Sequence, residues 1–303
     1  MHDLENVSWK WVLLGMAFDV LSYLVQAVRW KFLLKPFGEV RLTRSIRAVF
    51  SGLFANLIFP LRPGELLRSY LLSDSEGITF GRMLGSVGVE RMIDLVIATA
   101  SLGVVSLVVD LPRTFQRAAD ILGVVTLVLL SVVVALILYL EVKLTRDPSF
   151  QSAPHHLPGK LMAALTGLHA MGTAPSFYPA LFFSLLMPLC QAAGLWAIMV
   201  SYGMHLSFLV AIVVLVIINL GVSLPNAPAN VGSYWFFCVL GLSVFGVEKA
   251  VAAPFSILAF LALNIPFIFL GFAALVRSGL SLRSMRERVT HLPSELSRAD
   301  AAY

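Results

Sequence analysis

The sequence predicts an all-α membrane protein, organised as an inverted repeat of span, re-entrant hairpin and span with a joining helix. The first observation is composition: of 303 residues, 58% are hydrophobic and 13% are charged, and the mean hydropathy is +0.87. Such a composition is typical of a polytopic helical membrane protein rather than of a soluble domain. The second observation is a polar, proline-containing break that occurs twice in otherwise apolar sequence.

We predict one transmembrane domain over residues 1–303, without a separate catalytic domain. The N-terminal sequence MHDLENVS is acidic and the first apolar run continues as a full span, so we expect no cleavable signal peptide. The predicted parts are repeat one at about 11–109, a joining helix with an amphipathic connector at 110–178, repeat two at about 179–276 and a cytosolic tail at 277–303.

Repeat one begins with a span at about 11–34 and continues into the first hairpin, whose centre reads NLIFPLRPGELLRS at 56–69. Pro60 and Pro63 break the helix, because proline lacks the N–H group and clashes with the preceding turn, and Pro63 suits the start of a new helix. The second arm has about 11 residues, or about 16 Å at 1.5 Å per residue. Because a hydrocarbon core is about 30 Å thick, we predict that the chain enters, breaks and leaves on the same side.

A polar break at membrane depth is tolerated only where it is buried in protein or lines a wet cavity. The start of the second arm would present unpaired N–H groups and the positive end of the helix dipole. Those groups suit an anion, and Arg62 and Arg68 would strengthen the attraction. The same residues also fit a loop between two shallow helices, with the arginines among lipid headgroups.

Four further spans complete the prediction. The connector between spans three and four contains an amphipathic pattern at 160–171, which is typical of a helix on the membrane surface. The third span is uniformly apolar and serves as the joining helix. The four spans lie at about 83–109, 121–140, 180–202 and 250–276.

The second broken segment, NLGVSLPNAPANVGSYW at 219–235, follows the order of the first: Asn-Leu, apolar residues, Pro-x-x-Pro and Gly. Asn56 and Asn219 are 163 residues apart, and Pro60 and Pro225 are 165 apart. A shift of about 164 also places span one on span four and span two on span five. We therefore predict a duplicated unit, although Pro and Gly are common enough in membrane helices to allow coincidence.

Counting the crossings makes the two copies inverted, which is the arrangement of many carriers. Most Lys and Arg residues fall on the side opposite the N-terminus, including those at 29–47, 143–160 and 277–298. The positive-inside rule then places the C-terminus in the cytoplasm and the N-terminus outside. We expect a multi-pass protein of a prokaryotic cytoplasmic (inner) membrane.

The hairpin tips supply the candidate substrate-binding residues. The two half-helix starts are predicted to meet near the membrane midplane and to form a polar slot for an anionic headgroup, with Asn230 as an N-cap. Glu65 would repel an anion, so we expect it to pair with a hairpin arginine or to bind a proton or cation. The full set is Arg62, Gly64, Glu65, Arg68, Asn226, Asn230, Gly232 and Ser233.

A second candidate set is a buried charge network of Asp19, Glu90, Arg91 and Asp94. Glu90 and Asp94 are four residues apart and share a helical face, and Arg91 and Asp94 are three apart. Charges inside a membrane must find partners, which favours a network with the hairpin arginines. The network either contacts substrate or only holds span two against the hairpin; Asp19 is either a proton site or a hairpin partner.

No motif indicates catalysis, a metal or a cofactor. The sequence contains no HExxH, GxSxG, Walker loop or GxGxxG. Cys190 and Cys238 lie in apolar runs, which favours packing over a disulfide. We predict no cofactor, no metal site and no nucleic-acid partner, since the net charge of +5 reflects membrane orientation.

These segments, together with VRWKFLLKPFG and VERMIDL, resemble a flippase-like integral membrane family that includes the transmembrane domain of lysylphosphatidylglycerol synthase and UPF0104-type proteins. The resemblance covers about 11–276 and is strongest in the first hairpin and VERMIDL. The second turn reads PANVG where family members tend to have PGG or PGN. The resemblance implies a lipid-headgroup translocator with two re-entrant hairpins. Aminoacyl-transferring members carry an additional cytosolic domain, so we do not expect this chain to synthesise aminoacyl lipids by itself.

We predict a flippase- or scramblase-like transporter that moves an anionic lipid headgroup, on a phospholipid or a polyprenyl-phosphate-linked lipid, and not an enzyme. Arg62 and Arg68 would neutralise the phosphate, and movement would be passive or ion-coupled because no ATP-binding motif is present. Three alternatives stay open. They are a secondary transporter of a small anion, a membrane enzyme that uses Glu65, Glu90 or Asp94, and a non-catalytic partner of a lipid synthase or glycosyltransferase.

The expected partners follow from these hypotheses. They are membrane lipids, a lipid-modifying enzyme or glycosyltransferase, and a second copy of this chain. Gly81, Gly85 and Gly88 would allow close helix packing along span two.

Overall fold

The apolar runs and their proline breaks form helices at the predicted places. The computed structural model describes residues 7–59, 63–107, 113–146, 170–223 and 228–278, and these contain no β-strand. Two 3-10 turns lie at Lys35–Phe37 and Pro228–Asn230. The helices described from end to end are α1 (Trp9–Leu34), α2 (Leu42–Ile58), α3 (Gly64–Glu76), α4 (Phe80–Ser106), α5 (Arg113–Arg146), α6 (Phe177–Ser201), α7 (Phe208–Val222), α8 (Ser233–Val244) and α9 (Lys249–Arg277).

The prediction of an all-α membrane protein is confirmed. Within the described residues, three helical segments are long and apolar enough to cross a membrane: Trp9–Phe37, Phe177–Ser201 and Lys249–Arg277. The molecule also has an apolar exterior and a partly charged interior. Phe236 and Phe269 are 63% and 71% exposed, whereas four charged side chains in the described part of the chain are buried: Asp19, Arg29, Arg68 and Glu90. This distribution suits a chain whose solvent is lipid.

Several predicted features lie outside the described residues. They are the helix breaks at Pro60 and Pro225, the candidate residues Arg62 and Asn226, residues 160–169 of the amphipathic connector and the tail after residue 278.

The first broken segment is an antiparallel helical hairpin, α2–α3. The guanidinium of Arg44, near the start of α2, lies 3.1 Å from the Glu76 carboxylate at the end of α3. Near the other end, the two backbones touch at Gly52 and Gly64, where a Cβ on Gly52 would lie 2.6 Å from the Gly64 carbonyl oxygen. The arms have 17 and 13 residues, or about 26 and 20 Å. Both are shorter than a hydrocarbon core, and the re-entrant path stays a prediction.

The second broken segment forms a hairpin of the same kind, α7–α8. A Cβ on Gly241 would lie 3.3 Å from the Cα of Val214, and the ring of Phe237 lies directly against Gly221. The arms have 15 and 12 residues, and the 3-10 turn at Pro228–Asn230 precedes the second arm. The two proline-containing segments therefore produce the same local structure.

The packing of the described helices is symmetric under exchange of the predicted repeats, α1–α4 and α6–α9. The pairs α1–α2, α3–α4 and α1–α4 have the counterparts α6–α7, α8–α9 and α6–α9. Between repeats, α2 packs on α9 as α7 packs on α4, and α1 contacts α9 as α6 contacts α4. A duplicated unit with two-fold-related copies would give this pattern. The inverted orientation in the membrane stays a prediction.

The central pair of helices is α1 and α6, the first helix of each repeat. They approach closely where a Cβ on Gly15 would lie 2.8 Å from the Gly194 carbonyl oxygen. By contrast, a Cβ on Gly81 or Gly88 would meet no atom within 4 Å. The expected close packing at these two glycines is therefore wrong for contacts with the described residues of this chain.

Candidate functional site

The candidate residues fall into two separate polar groups inside the helical bundle. The charged cluster consists of Arg29 on α1, Glu65 and Arg68 on α3, and Glu90, Arg91 and Asp94 on α4. The polar cavity has a volume of about 140 Å³. Its polar lining comes from both hairpins and from α1, α6 and α9, and includes Asp19, Asn56, Gln191, Asn219, Asn230, Tyr234 and Asn264.

Glu90 lies at the centre of the charged cluster, between two arginines. One carboxylate oxygen pairs with the Arg68 guanidinium, and the other lies 3.3 Å from Nη2 of Arg29. The exposed fractions of the Arg29, Arg68 and Glu90 side chains are 0%, 4% and 1%. Because burying a charge without a partner is costly, Arg68 depends on Glu90 for neutralisation, whereas Arg29 shares Glu90 with Arg68 and also pairs with Asp94.

The outer part of the cluster links α3 and α4 where both are partly exposed. Arg91 pairs with Glu65, and Nη1 of Arg29 donates a hydrogen bond of 2.5 Å to Asp94. The expected partner of Glu65 was a hairpin arginine, but Arg68 points inward to Glu90 instead. Arg91 follows Glu90 directly on α4, so its side chain emerges on a more exposed face.

An aromatic contact fixes the position of Arg68. Its Cζ atom lies 4.7 Å from the centroid of the Trp30 ring, within the range of a cation–π interaction. The indole N–H of Trp30 donates to the hydroxyl of Ser86 at 2.7 Å. Arg68 is therefore held between an anchored ring and a carboxylate.

The cluster is electrically balanced, with three arginines and three carboxylates among its described members. The Nε atoms of Arg29 and Arg68 are buried and have no hydrogen-bond partner in the part of the chain that the structure describes. Buried N–H groups of this kind are rare in folded proteins. The arginines thus retain donors that an anionic group could use.

The polar cavity is where the two hairpins meet. The turn at Pro228–Asn230 packs on α2, and Asn56 and Asn230 line the same cavity. The Gly64 N–H, at the start of α3, donates to Oδ1 of Asn56 at 2.8 Å. One of the N–H groups at the first helix start is therefore satisfied by its own hairpin and is not free for a ligand.

The second tip has a different backbone. Ala229 and Asn230 both have φ of 57°, in the left-handed region. The expected N-cap, Asn230, is not the capping residue: α8 begins at Ser233, and Gly232, with φ of 85°, takes the cap position. The left-handed backbone at Asn230 delays the helix, so its side chain faces the cavity instead.

Asp19 does not join the network in which the sequence placed it. Its side chain lines the polar cavity, and it is ten residues before Arg29 on α1, or about 15 Å along the helix axis. Glu90, Arg91 and Asp94 do come together, with Arg68 as one partner. The prediction for these three is consistent with the geometry, whereas Asp19 belongs to another site.

Sequence reasoning missed Arg29, which was assigned to the positively charged end of span one. Its signal was present: Asp19, Gln26 and Arg29 recur at helical spacing, so the polar face that begins at Asp19 extends to Arg29. Gln191 and Asn264 were also missed. Each is a single polar residue in a long apolar run, which in a membrane helix indicates an interior position.

Comparison with known proteins shows which family model and which relatives the chain matches. Residues 1–271 match the family model described as the lysylphosphatidylglycerol synthase TM region. A UPF0104 membrane protein of Methanothermobacter thermautotrophicus is 22% identical over 266 residues, covering 82% of this chain and 78% of the relative. A UPF0104 membrane protein of Methanocaldococcus jannaschii is 35% identical over 97 residues, which span 31% of this chain and only 29% of that relative. No solved structure matches the chain significantly.

Proposed function

This chain belongs to the lysylphosphatidylglycerol synthase transmembrane-region family, and on that premise we propose that it moves the anionic headgroup of a lipid across a prokaryotic cytoplasmic membrane. It would act as a flippase or scramblase, with the headgroup inside the bundle and the acyl or prenyl chains in the surrounding lipid. The family description names a lipid-related protein, which supports a lipid as the substrate.

The observation that carries the proposal is a buried polar stripe along α1. Asp19, Ser22, Gln26 and Arg29 are all buried, and at 3.6 residues per turn they fall on one face of the helix. The stripe begins at the polar cavity and ends in the charged cluster, about 15 Å away. A polar strip inside an apolar bundle is what a headgroup needs to cross hydrocarbon.

Arg29 and Arg68 are the residues that would receive the phosphate. In this structure Glu90 occupies the space between them, so we propose that the headgroup exchanges with a carboxylate as the helices shift. Arg62 lies outside the described residues and stays a third candidate for neutralising the phosphate. The residues at the second tip, Asn230, Gly232 and Ser233, would line the path on the cavity side.

The pairing of the cluster's carboxylates with arginines favours transport over catalysis. Glu65, Glu90 and Asp94, the groups that a membrane enzyme would use, each pair with an arginine. The symmetric packing of the two repeats supports a rocking movement of one against the other. We propose that this movement is passive or ion-coupled.

The test is lipid translocation in liposomes that contain the purified protein and fluorescent lipids with anionic or zwitterionic headgroups. We expect Arg68→Ala and Arg29→Ala to slow the flipping of anionic lipids by about tenfold or more, because a charge-assisted hydrogen bond contributes about 1.5–3 kcal/mol. Arg62→Ala is tested alongside. The matched control is Arg47→Ala, which removes an exposed arginine of the same hairpin and should change the rate by less than about twofold.

A second variant separates function from folding. The double substitution Arg68→Met, Glu90→Met removes a buried ion pair, and such exchanges are often neutral for stability. Arg29 loses Glu90 in this variant but keeps its hydrogen bond to Asp94. We expect a folded protein with slow flipping. Parental rates in this variant and in Arg29→Ala would show that the cluster does not handle the headgroup.

A further inference from the structure

The polar cavity contains a buried carboxylate in a setting unlike that of the other acidic residues. Asp19 is 6% exposed and lines the cavity. Glu65, Glu90 and Asp94 each pair with an arginine, but none of the ion pairs within the described ranges includes Asp19. A buried carboxylate requires a proton or a positive partner, because the bare charge is expensive in an apolar interior.

Neutral oxygen atoms face the same space. The Asn230 side-chain oxygen and the Tyr234 hydroxyl are buried and lack hydrogen-bond partners among the described residues, and both side chains line the cavity. The Asn264 amide nitrogen donates to the Phe260 carbonyl at 2.8 Å, which leaves its oxygen available. Carboxylate, amide and hydroxyl oxygens are hard ligands that suit hard cations.

The charge and the volume of the cavity favour a monovalent cation that keeps a few waters. Asp19 is the only charged residue among those that line the cavity in the described part of the chain. One negative charge balances a monovalent ion, whereas a divalent ion would leave a net positive charge inside the bundle. The volume of about 140 Å³ is the liquid share of about four or five waters, which accommodates an ion with a few waters.

We propose that the polar cavity is a sodium-ion site, in which Asp19 supplies the charge and Asn230, Tyr234 and Asn264 supply neutral oxygen ligands. These ligands come from α1, the second hairpin and α9, so a bound ion would tie the tip of the second hairpin to those two helices. This inference does not depend on lipid transport, because ion binding is measured without a lipid substrate.

The experiment is equilibrium binding of ²²Na⁺ to the purified full chain in a neutral detergent, with choline chloride keeping the ionic strength constant. We expect saturable binding that Asp19→Asn weakens by at least about tenfold, since a charged ligand is lost. Tyr234→Phe keeps the ring and removes one oxygen, and should weaken binding less. The matched control is Glu248→Gln, an exposed carboxylate at the start of α9, which should bind as the parent does.

Size-exclusion profiles and melting curves establish that each variant is folded. If Asp19→Asn does not fold, weakened binding in both Tyr234→Phe and Asn264→Ala supports the site, and unchanged binding in both overturns it. The absence of saturable ²²Na⁺ binding to the parent overturns the proposal, as does parental binding in folded Asp19→Asn. Proton uptake at Asp19 without sodium binding likewise overturns it, in favour of a proton site.

Discussion

The first hairpin, α2–α3, and the second, α7–α8, follow the same order of apolar residues, prolines and glycine, yet their tips are held by different interactions. In the first, Asn56 caps Gly64, and Arg68 is tied to Trp30 and Glu90. In the second, neither helix carries a charged residue, and the turn passes through left-handed backbone at Ala229 and Asn230.

The difference shows that two segments can form the same kind of helical hairpin and still carry different polar side chains. Proline and glycine spacing is enough to produce a short antiparallel helix pair in both halves. Charge then appears in one half, where α1 and α4 provide partners for it. The second half contributes uncharged oxygens to the polar cavity. The two halves thus share a helical framework but carry different polar residues, and the charged cluster and the polar cavity result from that difference.

The largest expected effect comes from removing the charge that holds the first hairpin. Glu90→Ala would leave Arg29 and Arg68 buried without their shared carboxylate, and we expect a loss of about 3–5 kcal/mol in the free energy of unfolding. The measurement is denaturant unfolding in mixed detergent micelles. Arg47→Ala, at an exposed arginine of the same hairpin, serves as control and should cost less than about 1 kcal/mol. Equal effects of both variants would contradict the central role of Glu90.

A smaller effect is expected from separating the two arms of the first hairpin. A Cβ on Gly64 would overlap the Gly52 carbonyl oxygen and lie 2.6 Å from Oδ1 of Asn56. Gly64→Ala should therefore cost about 1–3 kcal/mol, as overpacking does in other cores. Gly88→Ala, where a Cβ meets nothing within 4 Å, should be neutral or stabilising by up to about 1 kcal/mol. If both variants changed the free energy of unfolding in the same direction, the close contact between Gly64 and Gly52 would be refuted.

The smallest effect concerns the backbone of the second tip. Ala229 has φ of 57°, a conformation that costs an L-residue about 1–2 kcal/mol. Part of that cost disappears in Ala229→Gly, so we expect a gain of up to about 1 kcal/mol in stability. Gly232→Ala, at φ of 85°, should instead lower the free energy of unfolding. A loss of stability in Ala229→Gly would mean that the methyl group matters more than the backbone.

Much of the local structure could be predicted from the sequence, and the site only in part. The ends of the other spans agree within a few residues, whereas the joining helix, predicted at 121–140, extends over Arg113–Arg146. Both hairpins lie where prolines interrupt apolar runs. The pairing of Arg68 with Glu90 follows from the expectation that intramembrane charges find partners. The placement of Asp19 in the cavity and the pairing of Glu65 with Arg91 did not follow, because helical spacing says which residues share a face but not which helix that face meets.

The sequence by itself determined that this is a helical membrane protein with two proline-broken hairpins, whose corresponding residues lie 163 or 165 positions apart. Hydrophobicity, proline and glycine act over a few residues, so their consequences are readable along the chain. Only the tertiary structure decided that Arg29 and Asp94, 65 residues apart, share a hydrogen bond, and that Asp19 and Asn230 line one cavity. Such contacts depend on how whole helices pack against one another, and that is settled by the shapes of many side chains together.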